Sequence, residues 1–165
     1  MGLLGAAASQ QPLIIFNYGT QNTIVTGGWS YDDCWNPPGT SGVGTQASYF
    51  YQNSNGLSIY SPYWGCGTAS TVNNINLSGV KSVTITYSGS NLGYYSNGSV
   101  SWPLSDGTRQ GYTLQPCCGY PSQIALTSVT VPITSGKAGG NGKIEFGAGN
   151  TDAGTLYLHA LQFNF

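Results

Sequence analysis

Short runs of alternating apolar and polar residues, separated by turn-forming residues, run the length of the chain. The clearest is SVTITYS (82–88), where Val83, Ile85 and Tyr87 share one face and Ser82, Thr84 and Thr86 the other. A period of two predicts a half-buried strand. TSVTVPIT (127–134) sets Val129, Val131 and Ile133 on one face, and its Pro132 predicts an edge or bulged strand. PLIIFNY (12–18) is a nearly continuous apolar run, predicting a buried strand. TIVT (23–26), ASYFYQ (47–52), LSIY (57–60), VSWPL (100–104), GYTLQ (111–115) and KIEFG (143–147) complete the short strands.

The last run, TLYLHALQFNF (155–165), breaks simple alternation. Leu156 and Leu158 share one parity, while Leu161, Phe163 and Phe165 share the other. A β-bulge near His159 and Ala160 would turn both sets to the core. This reading makes His159 a packed or surface residue rather than a ligand. No long segment carries a 3.6-residue period, so helix is confined to a turn or the N-terminal arm. About ten short strands with Gly, Asn and Pro turns predict an all-β sandwich or jelly roll. The segments 27–46, 61–76, 89–99 and 116–123 read as long loops, and they hold most of the Trp, Pro and Cys.

Composition sharpens this picture. Charged residues make up 5% of the 165 positions, against about 25% in an ordinary soluble domain. Ser, Thr, Asn, Gln and Gly replace them, which gives a neutral polar surface. The four cations, Lys81, Arg109, Lys137 and Lys143, are scattered, so the clustered phosphate contacts of a nucleic-acid binder are missing. Little charge also means little repulsion between copies, which favours assembly. No stretch approaches the ~18 apolar residues of a membrane span. Residues 1–11 form an uncharged N-terminal arm with Leu3 and Leu4 as candidate docking residues, and 12–165 form the sandwich domain.

Cys34, Cys66, Cys117 and Cys118 fit no zinc spacing. Free buried or loop thiols are the first reading, and a Cys34–Cys66 disulfide is the alternative. In an extended strand the side chains of Cys117 and Cys118 would point apart.

The candidate chemistries are few. Hydrolysis of a glycosidic bond needs two carboxylates flanking it, and the chain has Asp32, Asp33, Asp106, Glu145 and Asp152. Asp32 and Asp33 are adjacent and cannot easily flank one substrate. An Asp32–Asp106 pair depends on the fold. A serine triad could draw only on His159, and no Gly-x-Ser-x-Gly elbow is present. The reading is therefore no enzyme, no catalytic residue and no cofactor. The YDDCWN and GNTDAG segments could supply oxygens to calcium, but turn chemistry accounts for them better, so no metal is expected.

Sugar binding remains. Neutral glycans are held by aromatic faces together with amides, hydroxyls or a lone carboxylate. Such groups gather at Trp29, Tyr31, Asp32, Asp33, Trp35 and Asn36; at Tyr60, Tyr63 and Trp64; at Tyr94 and Tyr95; and at Tyr120. The competing reading is that these aromatics anchor loops on the core or line subunit interfaces. The segment SYDDCWNPPG (30–39) is then a structural turn or a binding rim, with Asp32 and Asp33 as acceptors.

The segments IIFNYGTQNTIVTGGWS, INLSGVKSVTITYSGS and TLYLHALQFNF resemble galactose-binding-like carbohydrate-binding jelly-roll domains, which occur often in bacteriophage virion proteins. The resemblance spans roughly 12–165 and supplies no catalytic residues. It implies a structural virion accessory protein of capsid-decoration, head-fibre or tail-fibre type. Its partners would be other virion proteins and host surface glycans. It also implies a homo-oligomer, a trimer by analogy with phage fibres. The alternative is a secreted non-catalytic carbohydrate-binding module or lectin.

Overall fold

The computed structural model describes residues 11–17, 20–21, 28–34, 48–61, 65–116, 118, 122–151 and 154–165. These residues form fourteen strands and no helix. They are β1 (Leu13–Asn17), β2 (Thr20–Gln21), β3 (Trp29–Asp33), β4 (Tyr49–Asn53), β5 (Gly56–Ser61), β6 (Gly65–Thr71), β7 (Ile75–Asn76), β8 (Ser82–Ser90), β9 (Asn97–Pro103), β10 (Arg109–Gln115), β11 (Ile124–Pro132), β12 (Asn141–Gly142), β13 (Glu145–Thr151) and β14 (Gly154–Asn164).

Two antiparallel sheets face each other. One has the order β11-β8-β14-β1-β2, with β5 and β4 continuing from the first half of β14; the other has the order β10-β9-β13-β6-β3. A two-stranded ribbon, β7 with β12, closes one end. The result is the all-β jelly-roll sandwich that the alternation implied.

β14 organises the larger sheet. Its whole length pairs with β8. On its other edge Gly154–Leu158 pair with β5 and Ala160–Phe163 pair with β1. The ladder to β8 slips between Leu158 and Ala160, where the bulge was expected. Leu156, Leu158, Leu161 and Phe163 are all buried as a result. The His159 ring bridges the bulge. Its Nδ1–H donates to the Asn55 carbonyl at 2.6 Å, which leaves Nε2 to accept from the Ser88 hydroxyl at 2.7 Å.

The sheets meet through side chains from both inner faces. Trp102 of β9 meets Phe163 of β14 edge-on at 6.3 Å, and Tyr112 of β10 meets Tyr87 of β8 at 6.1 Å. Each large apolar side chain buried here stabilises the fold by about 1.5–3 kcal/mol. β11 is the edge strand that Pro132 required, and Val129, Val131 and Ile133 pack against the core.

Two expectations need correction. Residues 29–33 and 65–71 were read as loop and instead form paired strands β3 and β6. The physical reason is side-chain size. β6 buries Gly65, Gly67, Ala69 and Thr71 on its inner face, so its alternation carries almost no hydrophobic contrast. The TIVT segment and residues 1–10 of the arm, with Leu3 and Leu4, lie outside the described residues.

Candidate functional site

Strand order takes the chain from one sheet to the other five times at one end of the sandwich, after Asp33, Ser61, Ser90, Gln115 and Thr151. By sequence, these crossings carry most of the aromatic residues proposed for sugar contact. Trp35, Asn36, Tyr63, Trp64 and Tyr120 are themselves outside the described residues.

β3 divides its residues between two faces. Trp29 is half-buried and packs against the core. Tyr31 and Asp33, at 8% and 3% exposure, point inward, while Ser30 and Asp32 point outward. Tyr31 and Asp33 were expected at a binding rim and are instead structural. The Ser48 amide donates to Asp33 Oδ2 at 2.8 Å, and the Ser48 hydroxyl donates to the Cys66 carbonyl at 2.8 Å. With its proton committed there, Ser48 Oγ accepts from the Tyr31 hydroxyl. The Tyr31 ring stacks on Phe50 at 5.5 Å and lies against Gly67, where any side chain would collide with it. Burial pushes the Tyr31 phenol up to about 12.

The outward residues of the smaller sheet line up across all five strands. Asp32 is opposite Thr68, Thr68 opposite Gly147, Gly147 opposite Ser99, and Ser99 opposite Thr113. At strand spacing this row is about 19 Å wide. Beside it, towards the crossing end, lies an open groove of about 280 Å³ lined by Cys34, Cys66, Thr68, Asn97, Ser99, Gly147 and Gly149. Gly147 and Gly149 put no side chain on the central strand, and the Asn97 amide leans over Gly149. The groove therefore presents hydroxyls, an amide, backbone and sulfur, with no charge in its lining. Asp32 and, further along β13, Glu145 are the described carboxylates on the same face.

Cys34 and Cys66 extend the β3–β6 ladder one step past Asp33 and Gly67, with the Cys34 amide donating to the Cys66 carbonyl at 3.1 Å. Their Cα atoms are 5.4 Å apart and the sulfurs are bonded, within the usual span for a disulfide. The free-thiol reading is thus wrong for this pair. Cys118 is also disulfide-bonded, and no described cysteine is free. At φ 82° Cys118 is not extended, and Cys117 lies outside the described residues.

Tyr94 and Tyr95 stand in the β8–β9 crossing, 57% and 41% exposed, with rings edge-to-face at 4.9 Å. Buried Leu92 roots this crossing, and its amide donates to the Ser122 carbonyl at 2.9 Å. Asn97, which lines the groove, follows two residues after Tyr95.

The described carboxylates do not converge. Asp32 and Asp33 face opposite ways. Asp106 lies in the β9–β10 turn at the other end, bonded to Lys137 at 2.8 Å. Lys137 and Thr108 hold its carboxyl well below the usual range. Glu145 pairs with Arg109 at 3.2 Å. No group of three or more His, Cys, Asp or Glu among the described residues is placed to hold a metal. No helix among them is long and apolar enough to cross a membrane.

The groove residues Thr68, Asn97, Ser99, Gly147 and Gly149 were not singled out from sequence. Reading GCGTAST as a strand would have put Cys66, Thr68 and Ser70 on the outer face; nothing local marks the others.

No protein-family model matches the sequence, and no curated protein matches it. Among solved structures, the family 11 carbohydrate-binding module from Clostridium thermocellum, in complex with a β-1,3-1,4-mixed-linked tetrasaccharide, is similar at TM-score 0.52 and 11% identity, covering 96% of this chain and 97% of that one. A xylan-binding module matches at TM-score 0.48 and 10% identity over 94% and 96%. The enzymatically active domain of tailspike protein 4 from bacteriophage CBA120 matches at TM-score 0.49 and 8% identity, over 84% of this chain and 20% of that one, so this chain spans a fifth of its length. At such identities the likeness is one of fold: the chain has the β-sandwich architecture seen in carbohydrate-binding modules.

Proposed function

We propose that the protein is a non-catalytic glycan-binding module whose site is the open groove on the outer face of β3, β6, β13 and β9. The observation that carries this is the uncharged, hydroxyl- and amide-lined trough over Gly147 and Gly149, at the end where the aromatic crossings leave the sheets. Neutral sugars present hydroxyls that both donate and accept, which suits Thr68, Asn97 and Ser99. Asp32 adds an acceptor at the rim. Tyr94 and Tyr95, in the crossing that leads to Asn97, supply aromatic contact.

The test is titration calorimetry against neutral glycans, beginning with a β-1,3-1,4-linked glucan tetrasaccharide, a xylan oligosaccharide and a mannohexaose. Asn97→Ala is expected to weaken a binder about fivefold, the worth of one hydrogen bond, with the melting temperature unchanged. Failure to bind any glycan, or full binding by Asn97→Ala, removes the groove reading.

The place of action we propose is a phage particle. The segment resemblance supports this, and the Cys34–Cys66 disulfide, a bond that persists outside the reducing cytosol, is compatible with it. The secreted module remains the alternative, since the disulfide fits both. Mass spectrometry of purified particles separates them, because absence of the chain from particles leaves only the secreted module. In a particle, the arm 1–11 with Leu3 and Leu4 would be the anchor. Deletion of 2–11 should then abolish incorporation while leaving glycan binding intact.

A further inference from the structure

We propose that the Cys34–Cys66 disulfide is the sugar-stacking wall of the groove, a role that rests on the glycan-binding reading above. A pyranose has two kinds of surface: hydroxyls at its rim and C–H groups across its faces. Thr68, Asn97 and Ser99 can satisfy the hydroxyls. They offer little to the C–H face, and Gly147 and Gly149 offer only backbone. Ala148 also borders the groove, but its side chain belongs to the core. Among the described lining residues, apart from the single methyl of Thr68, the remaining apolar side-chain surface is the pair of sulfurs and their Cβ atoms. Cys34 is exposed and Cys66 half-exposed, so the bridge is accessible rather than buried.

Sulfur is polarizable and packs well against C–H groups by dispersion. The bridge is also rigidly held. It sits one step beyond the last β3–β6 pair, and the Cys34 amide is bonded to the Cys66 carbonyl. The Ser48 hydroxyl bonds that same carbonyl, tying the wall to the buried Tyr31–Asp33 network. A wall fixed in this way loses little freedom when a ligand packs on it, which favours affinity.

A disulfide that serves only as a staple gives the same stability argument but makes no contact with a sugar. Two double variants separate the roles. Both remove the covalent bond. Cys34→Ser/Cys66→Ser makes the wall polar, while Cys34→Val/Cys66→Ala keeps it apolar. The probe is the β-1,3-1,4-linked glucan tetrasaccharide, or whichever glycan of the panel binds the unaltered protein. Both variants should lose the same thermal stability. The serine pair should bind about tenfold or more weakly, and the valine–alanine pair within about threefold of the unaltered protein. Equal affinities for the two variants, at any level, overturn the proposal.

If either variant does not fold, NMR on the unaltered protein decides. Nuclear Overhauser contacts between the Cys34 and Cys66 Hβ protons and sugar C–H protons are expected. Their absence in a saturated complex overturns the wall while leaving the groove reading intact. Absence of binding to every glycan overturns both.

Discussion

Tyr31 shows what one side chain does when two sheets close over it. Its ring lies over Gly67, its hydroxyl serves Ser48, and Asp33 lies two residues along the same face. A Cβ at position 67 would sit inside the space of that ring. Gly67→Ala is therefore expected to destabilise the fold by about 1–3 kcal/mol, the cost of overpacking, read as a lower denaturant midpoint with unchanged slope. Burial also raises the phenol pKa of Tyr31 to about 12, and that of Tyr87 likewise. A raised folded pKa means that the folded state holds the proton more tightly. The associated stability is whole below the ordinary phenol value of about 10 and is lost as pH rises towards 12. In an alkaline titration the ionisation of Tyr31 and Tyr87 should arrive together with loss of the β circular dichroism signal. Tyr31→Phe should move that alkaline unfolding to higher pH. Ionisation of every tyrosine while the fold persists would contradict this. The sequence showed Tyr31 and Asp33 as interesting but put them on the wrong face. They lie in a strand whose neighbours are glycine and alanine, and the inward parity is set by pairing with β6.

At the scale of elements, legibility follows side-chain contrast. β8 and β14 announce themselves because Val, Ile, Leu and Phe alternate with Ser, Thr and Gln. The break in parity at His159 was readable because leucines and phenylalanines on both sides of it needed burial. β6 alternates just as regularly in space, but with Gly and Ala inward. Its inner volume is filled from the neighbouring strand β3, by Tyr31, and no local pattern records that. The bulge gives a sharp test. Leu158 and Ala160 pair with the consecutive β8 residues Tyr87 and Thr86, so deleting His159 should remove the bulge and leave Leu156, Leu158, Leu161 and Phe163 all on the inner face. Soluble, folded protein is expected from that deletion, with stability lowered by loss of the bonds to Ser88 and Asn55. His159→Ala keeps the residue count and loses the bonds to Ser88 and Asn55, at a cost of about 1–3 kcal/mol. Failure of the deletion variant to fold would show that His159 is not merely the extra residue that the register absorbs.

For the whole molecule, scarcity of charge links fold, site and ligand. The sequence made the chemical class of the surface plain: neutral, hydroxyl-rich, with aromatics in the crossings. It could not locate the groove, because the groove exists only when β3, β6, β13 and β9 lie side by side. Thr68 and Asn97 are 29 positions apart in sequence, and Ser99 and Gly147 are 48 apart. The cations Arg109 and Lys137 are engaged with Glu145 and Asp106, and the net charge is -1. Such a molecule has almost no long-range field with which to steer a charged ligand. Short polar contacts and dispersion must supply the affinity, and salt screens neither effectively over these distances. Glycan affinity measured by calorimetry is therefore expected to change by less than about twofold between low salt and ~0.5 M salt. An anionic glycan held by cations would behave oppositely, weakening steeply as salt rises. A steep salt dependence would thus show that the ligand is acidic and that the neutral groove is not its principal contact.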